Sequence, residues 1–176
     1  MTLDQPHDIH LREPLSEGEA VQAFWDHVQN HTTVMLGINT PDQHLRPMTA
    51  FSEPESELIW FFTRDDTELA AEAAGSTEAR LVLAAKDQEV FADIFGTLSV
   101  DRDPGRIERY WSPIVAAWYP GGKTDPNLTL MCFAPHQGQM WVSKQGLVRL
   151  LFQVATANLT KTLPDVGGSA SITFRH

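Results

Sequence analysis

The sequence predicts an α+β chain, mainly β, with antiparallel strands and helices set between them. Three observations carry this. Short β-branched and aromatic runs recur along the chain, dense turn formers separate most of them, and the helical patterns do not alternate with strands as βαβ units require. With 176 residues and 42% hydrophobic side chains, the chain is long enough for one domain with a core and too apolar for a disordered segment.

Residues 1–15 read as a flexible N-terminal arm, with Pro6, Pro14 and no hydrophobic period. Ser16-Glu17-Gly18-Glu19 then forms a capping box, in which the Ser16 hydroxyl accepts from a terminal N–H while Glu19 reaches back. The helix it opens sets Val21, Phe24, Trp25 and Val28 on one face and ends near Asn30. Residues 32–38 are β-branched and apolar, hence a strand. The turn formers at 39–43 join it to a second strand over 44–51, making a hairpin. Pro47 cannot donate a ladder hydrogen bond, so the second strand lies at an edge or is bulged there.

A third strand covers 57–63, followed by a short helix over 67–74 that Gly75 ends. Strands over 79–85 and 89–100 flank the turn Lys86-Asp87-Gln88. Asp103-Pro104 opens a helical stretch through Trp111, a second helical turn runs over 113–118, and Tyr119-Pro120-Gly121-Gly122 breaks it. Residues 128–134 and 139–142 are expected to form a hairpin around His136-Gln137-Gly138. A helix is expected over 145–159, and Ala170-Ser171-Ile172-Thr173-Phe174 reads as strand-like within a C-terminal arm, 161–176. The domain proper is then 16–160.

Charge and composition exclude several functions. Thirteen basic against 23 acidic side chains leave a net charge of -10, which opposes nucleic-acid binding by phosphate neutralisation. No apolar stretch approaches the roughly 18 residues of a membrane span, and the polar N-terminus lacks the apolar core of a signal peptide. A single cysteine, Cys132, fits a reducing, cytoplasmic compartment, and its apolar run fits a core residue better than a nucleophile. The seven histidines make no zinc-type spacing, so no metal is expected, and no glycine-rich dinucleotide or Walker pattern occurs.

One constellation carries chemistry: Arg46-Pro47-Met48-Thr49-Ala50-Phe51 on the second strand, with Trp60-Phe61-Phe62-Thr63-Arg64-Asp65-Asp66-Thr67 running from the third strand to the short helix. An arginine fork suits phosphate geometry, a helix start attracts anions, and the backbone of 47–49 could line a flat ring. The plainer reading is a solvent-facing arginine and an ordinary helix cap.

At these residues the chain resembles the bacterial general stress proteins of the pyridoxamine 5'-phosphate oxidase-like superfamily. The resemblance also rests on Gly96-Thr97-Leu98-Ser99-Val100, Trp111-Ser112-Pro113, Ala117-Trp118-Tyr119-Pro120-Gly121-Gly122, Asp125-Pro126-Asn127-Leu128 and Trp141, and it spans about residues 16–160. It implies an antiparallel split β-barrel flanked by helices, binding FMN, or FAD, at the interface of a homodimer. It also implies a flavin-dependent redox role, or else a non-catalytic carrier, sensor or stress-response binding protein with a degenerate cofactor site.

Carried over by position, the resemblance implicates Arg46, Pro47, Met48, Thr49, Phe62, Thr63 and Thr67 in cofactor binding. Trp118 joins them beside the glycine turn, and Arg64 as a substitute cation reaching back from the loop. The substitute is needed because family members carry a phosphate-neutralising lysine where this chain has Leu69, among Asp65, Asp66 and Glu68. Asp66 is expected to cap the short helix. No catalytic residue is nominated. A true pyridoxamine 5'-phosphate oxidase is disfavoured for want of a basic substrate-phosphate cluster.

Overall fold

The computed structural model describes residues 15–30, 32–86, 89–142 and 168–175. The N-terminal arm up to residue 14 and the expected helix over 145–159 lie outside these residues, as does part of the turn at 86–88.

Helix α1 (Glu17–Asn30) begins as expected, with the Glu19 N–H donating to Ser16 Oγ and the Ser16 N–H to Glu19 Oε2. It buries Ala20, Phe24, Trp25 and Val28. Eight strands form one sheet among the described residues: β1 (Thr33–Ile38), β2 (Arg46–Thr49), β3 (Phe51–Glu53), β4 (Leu58–Arg64), β5 (Thr77–Ala84), β6 (Val90–Asp101), β7 (Leu128–Val142) and β8 (Gly168–Thr173). Helix α2 (Glu68–Ala73) follows β4, while α3 (Pro104–Tyr110), α4 (Pro113–Ala116) and a 3-10 turn at Gly122–Thr124 separate β6 from β7.

Every strand pairing among the described residues is antiparallel, in the order β2-β1-β5-β6-β7-β4-β3, with β8 beside β7. The two ends of that order are successive pieces of one run of chain. Ala50 joins β2 to β3, buried to 1% exposure, with its N–H donating to the Thr32 carbonyl at 2.6 Å. The sheet therefore curls until its ends meet along the backbone but not as a ladder, which is a split barrel. The expected second strand over 44–51 is accordingly two strands. Its first half pairs with β1 and its second with β4, and Pro47 sits on the terminal strand as predicted.

A second difference is larger. The hairpin expected around His136-Gln137-Gly138 is absent, and 128–142 is one continuous strand. Its partner β6 is also long, and a bulge opposite Phe95/Gly96 absorbs His136, with Phe95 facing Gln137 and Gly96 facing Pro135. The backbones come so close there that a Cβ on Gly96 would stand 2.3 Å from the Ala134 carbonyl oxygen. The other edge of β7 is divided. Residues 128–133 pair with β4, and 137–142 pair with β8.

Strand β8 thus belongs to the sheet, consistent with the strand-like reading of 170–174. Phe174 makes edge contacts with Phe24 and Trp25, and Glu17 accepts from the Thr173 N–H, so the C-terminal strand and α1 close one end of the barrel together. Leu36, Ile59, Phe61, Leu81, Ile94 and Phe133 fill the interior with exposures of 0%.

Candidate functional site

A cleft of about 530 Å³ opens where the split in the barrel meets α4. This lies within the roughly 300–1,000 Å³ of small-molecule sites. Pro47, Met48 and Thr49 of β2 line one side with Phe51 of β3, and β4 contributes Phe62, Thr63 and Arg64. Thr67 stands at the end of that side. The opposite wall comes from Ser112, Ile114 and Val115, then Trp118 and Tyr119.

The wall is held by caps and one cross-link. Asp103 and Ser112 cap α3 and α4 through their side chains, each with proline in the first turn. Tyr119 donates its hydroxyl to the Thr63 carbonyl at 2.8 Å, joining the wall to β4. Burial pushes its phenol up to about 12, so it stays a neutral donor. Phe62 packs edge-on against Phe51 and Trp111, so an aromatic layer runs from β3 to α4.

Eight of the nine residues nominated from the sequence line this cleft. The ninth, Arg46, is half-buried on β2 opposite Leu36 and does not line it. Six further lining residues, Thr32, Phe51, Ser112, Ile114, Val115 and Tyr119, are not among the nominated ones. Four of them carry a sequence signal: Phe51 ends the arginine-bearing strand, Ser112 and Tyr119 stand in the Trp-Ser-Pro and Trp-Tyr-Pro motifs, and Ile114 follows the first. Trp118 is 74% exposed at the rim, whereas Trp25 and Trp60 are buried and Trp141 lies away on β7.

The polar end differs from expectation in two ways. Thr67, not Asp66, is the N-cap of α2: its Oγ1 accepts from the Ala70 N–H at 3.2 Å and donates to the Arg64 carbonyl at 2.8 Å. A helix of six residues with that donor already satisfied offers little to an anion. Asp66 instead holds Arg64 by a fork, Nε to Oδ1 at 3.1 Å and Nη2 to Oδ2 at 2.9 Å. These bonds raise the Arg64 guanidinium and lower the Asp66 carboxyl from their ordinary values. Leu69 is buried at 1% exposure and brings no charge.

Chemically, the cleft offers aromatic and aliphatic faces, hydroxyls at one end and one arginine. Among the described residues, none that lines it is a histidine, cysteine, lysine or carboxylate. With Tyr119 pushed to about 12, no lining side chain among the described residues exchanges a proton near neutrality. Among the described residues no group of three or more His, Cys, Asp or Glu is placed to hold a metal ion.

Comparison with known proteins agrees with this architecture. The sequence profile of the family described as "Pyridoxamine 5'-phosphate oxidase like" matches residues 19–165. A candidate general stress protein 26 from Jannaschia sp. CCS1 shares 32% identity over 90% of this chain and 100% of its own, with a TM-score of 0.79. The general stress FMN/FAD binding protein of the phytopathogen Xanthomonas citri shares 39% identity over 74% of this chain and 93% of its own, with a TM-score of 0.68. A candidate general stress family protein of Xanthomonas campestris pv. campestris shares 37% over 76% and 93%, also at 0.68. No curated protein matches the chain.

Proposed function

The chain belongs to the pyridoxamine 5'-phosphate oxidase-like family, and from that premise we propose that its cleft binds a flavin nucleotide, FMN or FAD, for a redox role in stress response. The observation that carries this reading is the cleft itself. It is aromatic, sized for a small molecule and, among the described residues, without a lining proton-transfer group near neutrality, which suits a ligand that brings its own chemistry. The Xanthomonas citri relative, described as an FMN/FAD binding protein, supports the choice of ligand.

The residues present fit the ring portion of a flavin well. Pro47, Met48, Thr49 and Phe62 would hold the ring, and Trp118 would close over the open side. The hydroxyls of Thr63 and Thr67 would face the ribityl and phosphate end, with Arg64 and Arg46 as the available cations. A bound flavin supplies reversible one- and two-electron transfer. The chain's own part is to desolvate the ring and fix its orientation.

We propose a homodimer with two such sites at its interface. Ile114 and Trp118, 75% and 74% exposed at the cleft rim, are the side chains such a partner would cover. The single cysteine supports a cytoplasmic protein, and no helix among the described residues is long and apolar enough to cross a membrane. A second reading, a non-catalytic flavin carrier or sensor, is favoured by Leu69 in the lysine position and by the engagement of Arg64 with Asp66.

The two separate cleanly. Anaerobic addition of NADH or NADPH to the flavin-loaded protein is expected to bleach the flavin absorbance for an oxidoreductase. Flavin that stays oxidised under both donors favours the carrier.

A further inference from the structure

Among the described residues, Arg64 is the sole cationic side chain lining the cleft, and its charge is already engaged. The Asp66 carboxylate takes its Nε and Nη2, an edge through which an arginine binds a phosphate with two parallel hydrogen bonds. Both side chains are solvent-accessible, 50% for Arg64 and 59% for Asp66, so the pair can open without unpacking the core. Asp125 and Asp65 add further negative charge near the same guanidinium. Asp66 itself does not line the cleft.

We propose that Asp66 is a specificity-determining residue. It competes with a ligand's phosphate for Arg64 and so sets how strongly the cleft prefers phosphorylated over unphosphorylated ring ligands. In the ligand-free chain Asp66 is an internal anion on Arg64. A phosphate must either displace it or share the guanidinium with a like charge beside it. A ligand ending in a neutral hydroxyl meets neither cost. This inference rests on the flavin reading of the cleft for its ligand, and on the Arg64–Asp66 fork for its mechanism.

The test is calorimetric titration of the full chain with riboflavin and FMN, for the wild type, Asp66→Asn and the double variant Asp66→Asn/Arg64→Gln. The Asn side chain keeps the shape of Asp66 and removes its charge at an exposed position, so the fold should be retained. FMN affinity is expected to rise roughly three- to tenfold in Asp66→Asn, the scale of one exposed charge pair plus one removed repulsion. Riboflavin affinity should stay as in the wild type, and the double variant should lose the gain. Equal changes for both ligands, no change, or a gain that survives loss of Arg64 would each overturn the inference.

A parallel titration with inorganic phosphate, followed by the Arg64 Nε–Hε resonance, keeps the two claims distinct. If neither flavin binds any variant, the flavin reading fails alone. The inference then stands or falls on whether the Asp66→Asn resonance saturates at several-fold lower phosphate than the wild type.

Discussion

Glu53 sits on β3 at 7% exposure, and its partners explain how a carboxylate lies there. Burial pushes its carboxyl up, but hydrogen bonds from Tyr110 and Ser56 and the charges of Arg109 and Arg106 outweigh it, so the group lies below its ordinary value. A carboxyl lowered by folding contributes stability above its unfolded value of 4.5, and that contribution fades as pH falls through the lower folded value. Glu53→Gln is expected to lower stability by about 1–3 kcal/mol and to flatten the acid limb of a urea-midpoint against pH profile. An unchanged acid limb contradicts this role. Cys132 behaves oppositely. Burial pushes its thiol up to about 12, so the stability it contributes persists below the ordinary value of 9.0 and is lost as pH climbs towards 12. At pH 8 iodoacetamide should label Cys132 only after unfolding. Residue by residue, the apolar and hydroxyl parts of the cleft were legible, because strand identity and the order of motifs bring Pro47, Thr49, Phe62 and Thr63 together. The Arg64–Asp66 fork was not. It depends on how a turn directs two side chains, which residue types alone leave open.

At the scale of elements, the β6–β7 ladder shows where sequence signals mislead. Pro135, His136 and Gly138 carry turn chemistry, yet twelve residues of β6 offer a continuous partner, and ladder pairing overrides local turn preference. The glycines there serve close backbone approach: a Cβ at 138 would come within 2.4 Å of the Asp93 carbonyl oxygen, much as one at 96 would meet Ala134. Gly96→Ala is therefore expected to cost about 1–3 kcal/mol or more, measured as a drop in urea midpoint. A neutral substitution would refute the close ladder. The end of α2 follows a related pattern, since Ser76, one residue past Gly75, takes the left-handed backbone with φ of 58°. Ser76→Gly is expected to raise stability by up to about 1 kcal/mol, through relief of that conformation. Most other elements were legible. The capping box of α1, the β-branched run of β1 and the proline starts of α3 and α4 are local signals, and local signals suffice where no long-range pairing competes.

At the scale of the whole molecule, the chain closes a barrel through its backbone at Ala50 and leaves a ladder gap beside it. The gap exposes the faces of β2 and β3 to the α4 wall, which makes a cleft without cutting the core. Antiparallel pairing was legible in the residue pattern, and the split-barrel closure in the family resemblance, whereas the division of the β7 edge between β4 and β8 was not, because it is set by pairings across long separations. Sedimentation should give twice the chain mass of 19.7 kDa, and Trp118→Ala together with Ile114→Ala should shift the equilibrium towards the single chain. The most direct measurement is the visible absorption spectrum of freshly purified protein, followed by FMN titration under fluorescence. Bound flavin bands, or saturable quenching at one flavin per chain, are the predicted result. A colourless protein that leaves FMN fluorescence unquenched at every concentration would contradict the proposed function.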